Sequence, residues 1–522
     1  MANVRGFLLD SRTASVNSPV MRTLTGVRLS LDDLEAIASG ASVRLGRDAK
    51  ARMARSRAWV DRIVDEGRVV YGINTGFGKL SDLTIPKSQL RTLQVNLVRS
   101  HACGVGPPLS PAETRAMVAL RTNVLALGTS GARPEVAEHL VAMLGAEIHP
   151  WIPESGSVGA SGDLAPLAHL ALAAIGEGRV LGPGGKARSA RAALTSAGLR
   201  PLRLEAKEGL ALLNGTQAMT AVGGLALHRA LRCLDAATAA GAMTLEALLG
   251  TPVAFDSRIH EARGQAGQIA IAAQLRTLLD RSQIRESHRE NDPRVQDAYC
   301  LRCMPQVHGA ALDALRNAQD IVEIETGAAT DNPLVFDDGS ILSGGNFHGA
   351  PVALQLDFAA IAVTDLMSIS ERRIDRLVNP DLNEGLPPFL SPKAGVSSGF
   401  MIPHVTAAAL LNEAKVLAHP ASVDNVPTSG GKEDHVSMGM TSALKLRRIV
   451  DHFERVVAIE LLAATEGVEY RHPLKPGKGV TRWVDAVRRI VPPVRRDRAL
   501  GEDIERLAAA IRTGLVPPVS SG

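Results

Sequence analysis

The sequence predicts a mainly α-helical protein, a long central helical bundle with glycine-rich loops at the helix ends. Three observations carry this. Helix-start signals recur along the chain, apolar residues repeat at helical spacing over long stretches, and strand-like alternation is confined to short pieces near Arg68–Tyr71, Arg179–Leu181 and Leu334–Phe336. Strands and helices do not alternate regularly, which argues against a parallel α/β sheet.

Ser30 with Asp33 opens the first helix, because a side-chain oxygen at the cap satisfies amides that the first turn leaves free. Ser110-Pro111-Ala112-Glu113 combines a cap, a first-turn proline and a capping-box carboxylate, predicting a helix over 111–127. Arg133-Pro134-Glu135 starts another, with Val136, Leu140, Met143 and Leu144 at helical spacing. The longest uncharged stretch, Gly209–Leu227, holds Asn214, Thr216, Gln217 and Thr220, so it fails as a bilayer span and reads as one buried helix. Over 433–466, Leu446, Ile449, Val450, Phe453 and Val457 mark the stripe of a long helix, able to span about 50 Å. No internal repeat is present. Residues 1–23 read as a flexible leader, 24–515 as a single unit (parts 24–200, 201–480 and 481–515), and 516–522 as a loose tail.

The 522 residues carry a formal net charge of +4, weak attraction for a polyanion, and only 3 Trp, 3 Tyr and 9 Phe for stacking, so no nucleic-acid partner is expected. Four cysteines in so long a chain make no disulfide scaffold and point to a reducing compartment. The first twenty residues lack the apolar run of a signal peptide, so a cytoplasmic protein without a membrane partner is expected.

Several strings fail as other chemistry. The loop from Tyr71 to Leu80 lacks the Walker spacing, and Gly156–Gly162 is one residue off the dinucleotide fingerprint and follows no clear strand. Gly395-Val396-Ser397-Ser398-Gly399 matches the nucleophile-elbow string without its strand-to-helix context. Cys300 and Cys303 have metal-ligand spacing but no second cysteine pair, so no metal is expected.

The string Gly156-Ser157-Val158-Gly159-Ala160-Ser161-Gly162-Asp163-Leu164-Ala165-Pro166-Leu167-Ala168-His169 resembles the signature of the aromatic amino acid lyases. The resemblance extends from about residue 24 to about 480 through Tyr71–Gly78, Arg99–His101, Leu213–Gln217, Gln296–Tyr299, Leu301–Cys303, Thr330–Leu334, Gly344–His348 and Glu433–Ser437. It implies a fumarase/aspartase-like helical architecture and a homotetramer with shared active sites. It also implies that Ala160-Ser161-Gly162 cyclises, without any external cofactor, to 4-methylidene-imidazol-5-one (MIO). The residue types suit that chemistry: the Gly162 amide attacks the Ala160 carbonyl, which a side chain would hinder, and Ser161 loses water to leave an exocyclic methylene.

Within the family, Ser100-His101 and Glu433 look like the histidine-specific members, which implies a small amino acid substrate, L-histidine, losing ammonia to give trans-urocanate. By resemblance, the MIO methylene captures the amine and Tyr71 removes the β-proton. A free phenol has a pKa of about 10, so an alkaline optimum is expected. Arg302 pairs with the substrate carboxylate, Asn214 and Gln296 supply amide donors, and Tyr299 and Phe347 shape the ring and inner loop. His101 and Glu433 hold the imidazole, Glu433 also exchanging protons with the amine. The chain departs from many bacterial members in reading Gly430-Gly431-Lys432 where they read Ala-Asn-Gln. Phenylalanine or tyrosine ammonia-lyase and MIO-dependent aminomutase chemistry stay open as alternatives.

Overall fold

The computed structural model describes residues 21–76 and 82–514. The leader up to residue 20, the tail 516–522 and the end of the Tyr71 string from Phe77 lie outside the described residues.

Strand β1 (Arg22–Leu24) pairs in parallel with β2 (Val43–Leu45), so Arg22 and Thr23 belong to a small sheet and not to a loose leader. Between them lies α1 (Leu31–Ala38), where the Ser30 hydroxyl accepts from the Asp33 amide and the Asp33 carboxylate accepts from the Ser30 amide. Helices α2 (Arg47–Glu66) and α3 (Leu90–His101), strand β3 (Val105–Pro108), α4 (Pro111–Ala126) and α5 (Pro134–Gly145) follow. Both predicted starts hold, α4 with a complete Ser110–Glu113 capping box. Strand β4 (Pro153–Ser155) pairs with β3 and leads to α6 (Leu164–Ala174). The hairpin β5 (Arg179–Leu181) and β6 (Ala187–Ser189) precedes α7 (Ala190–Ser196).

The expected single helix over 209–227 is two, α8 (Glu208–Leu213) and α9 (Gln217–Ala247). Asn214 is extended and Gly215 takes φ +146°, a break that only glycine adopts without strain. Beyond it come α10 (Ser257–Arg263), α11 (Ala266–Leu278), α12 (Gln283–Glu286), α13 (Tyr299–Arg302) and α14 (Met304–Glu325). Hairpin β7 (Leu334–Val335) and β8 (Ile341–Leu342) leads to α15 (Ala350–Val378) and α16 (Met401–Leu417). The chain closes with α17 (Gly439–Glu469), α18 (Lys478–Ile490) and α19 (Gly501–Thr513). The long helix thus begins at Gly439, not near 433, because Met438 adopts a left-handed φ of 55° and ends the preceding turn. Arg68–Tyr71 is no strand. The Asn74 side chain accepts from the Val70 amide and donates to the Arg68 carbonyl, curling that segment into a turn.

Helices α9, α15 and α17 pack along one another, with α14 against α15 and α9, forming the bundle. Its centre holds a charged pair, Arg373 on α15 and Glu460 on α17, both wholly buried. Helix α15 is long and apolar enough to cross a membrane by composition, but two thirds of its apolar window, 67%, is buried inside this bundle.

Candidate active site

The signature string forms the approach to α6. Gly162 has φ +72°, and a Cβ there would overlap the Gly215 carbonyl, so a glycine is demanded by backbone conformation and by space. The Asp163 amide donates to that same carbonyl at 2.7 Å. The wholly buried Asp163 carboxylate is pushed up to about 6 by desolvation, against the pull of the Met219 amide, the Ser157 hydroxyl, the Ala218 amide and the charge of Arg121. Asp163 does precede α6, as expected, but its carboxylate binds the first turn of α9 instead of capping its own helix. On another side, Met438 donates its amide to the Val158 carbonyl at 2.9 Å, and Gly349 and Gly439 pack against the Met219 sulfur. The N-termini of α6, α9, α15 and α17 therefore gather at this loop, and their partial positive charge favours anionic groups there.

Above the loop opens a cavity of about 580 Å³. It brings together Tyr71, His101, Ala160, Ser161, Asn214, Phe347 and Glu433 from six separate stretches of sequence, over an apolar wall of Leu97, Leu164, Leu210 and Leu213. A smaller cavity of about 380 Å³ lies behind the loop, where Gly162 joins Ala160, Ser161, His101 and Glu433.

The contact that ties the loop to the far chain is Ser161 Oγ donating to Glu433 Oε1 at 2.8 Å. The other carboxylate oxygen accepts from Thr428 Oγ1 at 2.8 Å and Ser429 Oγ at 2.6 Å. Partial burial raises the Glu433 pKa, but the Ser429, Ser161 and Thr428 hydroxyls and the nearby His101 outweigh it, leaving a net lowering. Glu433 is therefore an anion held by three hydroxyls. His101, the last residue of α3, sets its Nδ1 at 2.9 Å from the Leu97 carbonyl. A carbonyl only accepts, so Nδ1 carries a proton in this contact.

Asn214 sits in the break between α8 and α9. Its Nδ2 makes a long 3.4 Å contact to the Asn332 carbonyl, and its buried Oδ1 has no protein partner, a polar atom left for a ligand. Behind it, the wholly buried Arg121 on α4 donates to the carbonyls of Ala211 and Asn214 and to the Gln217 side chain. Gln217 donates in turn to Thr330 Oγ1 at 2.8 Å. Nearby, Lys207 and Asp331 form a fully buried ion pair at 2.8 Å.

Gln296, Tyr299 and Arg302 do not line this cavity within one chain. Gln296 and Tyr299 are exposed, Tyr299 at 72%, and the Arg302 guanidinium stacks 4.5 Å from the Tyr299 ring centroid while its Nε is buried without a hydrogen bond. Conversely, Asn332, Ser343, His348, Lys432, Asp434 and His435 line the cavity without having been singled out. All but Ser343 fall inside quoted strings, Lys432 in the Gly430-Gly431-Lys432 departure, the signal that could have found them. The His348 and His435 rings stack with centroids 5.7 Å apart. Gly395–Gly399 is an exposed turn, with Val396 and Ser397 both donating to the Lys393 carbonyl.

The family profile described as Aromatic amino acid lyase matches residues 29–489. A histidine ammonia-lyase of Koribacter versatilis is 53% identical over 505 residues, covering 94% of this chain and 98% of its own. The crystal structure of histidine ammonia-lyase from Trypanosoma cruzi superposes with a TM-score of 0.88 at 44% identity, covering 95% of this chain and 94% of that one. Tyrosine aminomutase from Streptomyces globisporus superposes with a TM-score of 0.90 at 38% identity, covering 95% and 97%. With its helical, fumarase-like fold and this match over nearly its whole length, the chain is a carbon-nitrogen lyase and belongs to the aromatic amino acid lyase family.

Proposed function

We propose that this protein eliminates ammonia from L-histidine without oxidation, giving trans-urocanate and opening histidine degradation in the cytoplasm. The observation that carries the reading is the Ser161–Glu433 contact, which puts an anion beside His101 over the Ala160-Ser161-Gly162 loop. The Glu433 carboxylate suits an imidazole, whose ring N–H can donate to it. The 53% identity to a histidine ammonia-lyase supports the same substrate.

The loop fits MIO formation: a side chain at residue 162 has no room, and the Ser161 hydroxyl that must leave as water is already aligned on a carboxylate. Once formed, MIO supplies an electrophile for the substrate amine. The chain's own residues do the rest. His101 and Glu433 hold the ring, the amide of Asn214 meets the amino acid head, and Phe347 with the leucine wall excludes water. Tyr71 takes the β-proton, and Glu433 exchanges protons with the amine.

Arg302, Tyr299 and Gln296, remote from the cavity of their own chain, are proposed to serve a neighbouring copy in a homotetramer. There the partner subunit's Arg302 would grip the substrate carboxylate through its planar fork.

The test follows absorbance growth with L-histidine, L-phenylalanine and L-tyrosine, alongside intact mass. The expected result is activity on histidine and a mass roughly 36 Da below the sequence value, the loss of two waters, confined to the peptide holding Ala160-Ser161-Gly162. Ser161→Ala should abolish both. Preference for phenylalanine or tyrosine would overturn the substrate, and an unmodified active enzyme would overturn the mechanism.

A further inference from the structure

We infer that Arg121 is a positioning residue for ring closure: its guanidinium holds the Asn214–Thr216 break, and the break in turn holds Gly162 for attack on Ala160. The inference rests on the MIO reading above and concerns a residue to which that reading gives no part.

Ring closure asks the chain for an unusual approach. The Gly162 nitrogen bonds the Ala160 carbonyl carbon and passes its proton to that oxygen. The resulting hydroxyl leaves as water with the Ser161 amide proton, and the Ser161 hydroxyl leaves as a second water with the Ser161 α-proton. No outside reactant is consumed, so what the surroundings supply is orientation. Gly215 is the surface that orients Gly162. The two residues form a parallel bridge, the Asp163 amide donates to the Gly215 carbonyl, and a Cβ on Gly162 would collide with that same carbonyl.

Gly215 is itself backed by Arg121. A Cβ on Gly215 would run into Arg121 Nη2, Gln217 Oε1 and Thr330 Oγ1, so the guanidinium packs directly against it. Arg121 donates to the Ala211 and Asn214 carbonyls before the glycine and to the Gln217 side chain after it. All three partners are neutral. Burial pushes the Arg121 pKa down to about 10, against the pull of the Asp331 and Asp163 charges. A buried cation with no carboxylate on its nitrogens is an expensive arrangement, and the equally buried Arg373 has Glu460. The contribution of Arg121 is geometric: one rigid fork spans the last carbonyls of α8 and the side chain that opens α9, a reach that a point-like donor lacks.

The experiment follows intact mass in the soluble, folded fraction after cell-free synthesis of the full chain is stopped. It compares wild type, Arg121→Met, Arg121→Lys and Arg373→Met. Wild type should lose roughly 36 Da, two waters. Arg121→Met should lose this mass roughly 10–100-fold more slowly, the worth of a charge-assisted hydrogen bond. Arg121→Lys, which keeps a charge but not the fork, should fall between the two. Arg373→Met weakens the bundle without touching the loop, so its folded molecules should lose mass at the wild-type rate. A merely structural Arg121 would behave the same way. Mass loss at the wild-type rate in folded Arg121→Met overturns the inference, as does an equal slowing in Arg373→Met. Where Arg121→Met yields no folded protein, Arg121→Lys decides by the same criterion. A wild type that keeps its full mass overturns the MIO reading and this inference with it; a wild type that loses the two waters leaves that reading standing whatever Arg121 does.

Discussion

At the bundle centre, Glu460 accepts from Thr244, Ser370 and two nitrogens of Arg373, and the third guanidinium nitrogen meets His308 at 3.3 Å. His308 is held neutral, far below its usual pKa, by burial and then by Arg373. Thr238 gives its own proton to the Leu234 carbonyl, so it accepts from His308 Nδ1 and leaves Nε2 to accept from Arg373. Every strong group there has a protein partner. In the loop layer around Ser161 the arrangement differs: Asn214 Oδ1 is buried and unpartnered, and its Nδ2 reaches only a long 3.4 Å contact. Saturated polar groups fix a scaffold, whereas unsaturated ones are stabilised only when a ligand arrives.

The comparison is broken most severely by removing the proposed base. Tyr71→Phe keeps the ring and deletes the ionisable oxygen, so turnover should fall by roughly 10²–10⁴-fold while the mass deficit and melting temperature persist. Retained turnover would move the base to Tyr299.

The bundle should answer in the opposite currency. Arg373→Met leaves Glu460 buried without its cation and should cost about 3–5 kcal/mol in denaturant titration, while folded molecules keep their kcat. The double variant Arg373→Met/Glu460→Leu should recover much of that loss. A selective fall in kcat would show that the two regions are not separable.

Glu433→Gln sharpens the contrast from the site side. It should lower kcat/KM for histidine by roughly 10–100-fold, the worth of a charge-assisted contact. An unaffected rate would return Glu433 to a purely structural part.

The smallest expected effect is a slope. Asp163 titrates at about 6 in the folded chain, above the 3.8 of a free carboxyl, so the native state holds this proton more tightly. Its contribution to stability is present below the free value and is lost as pH rises through 4 to 6, by at most about 1.4 kcal/mol per pH unit. Asp163→Asn should flatten that part of the stability profile, measured by urea titration between pH 4.5 and 6. An unchanged slope would mean that Asp163 stays charged throughout.

Local signals were legible and distant ones were not. The boxes at Ser30–Asp33 and Ser110–Glu113 lie within four residues, and both formed as read. The break at Asn214–Thr216 was invisible because Arg121, some ninety residues away, supplies the donors that stabilise the freed carbonyls. Lys207 and Asp331, 124 residues apart, form a fully buried pair that no local pattern reveals. At the site, the family strings located the cavity wall, but no string says whether Tyr299 and Arg302 face their own cavity. The single chain places them elsewhere.

The seam between Gly162 and Gly215 has a consequence for biogenesis. Residues 162 and 215 are distant in sequence, yet the Asp163 amide rests on the Gly215 carbonyl, so the geometry required for ring closure exists only after α6 and α9 have docked. Under the MIO reading, maturation is then a covalent memory of folding: a chain that never docked these helices keeps its full mass. A population's mean mass becomes a tally of how many of its molecules have ever reached the native state, readable even after all of them are denatured.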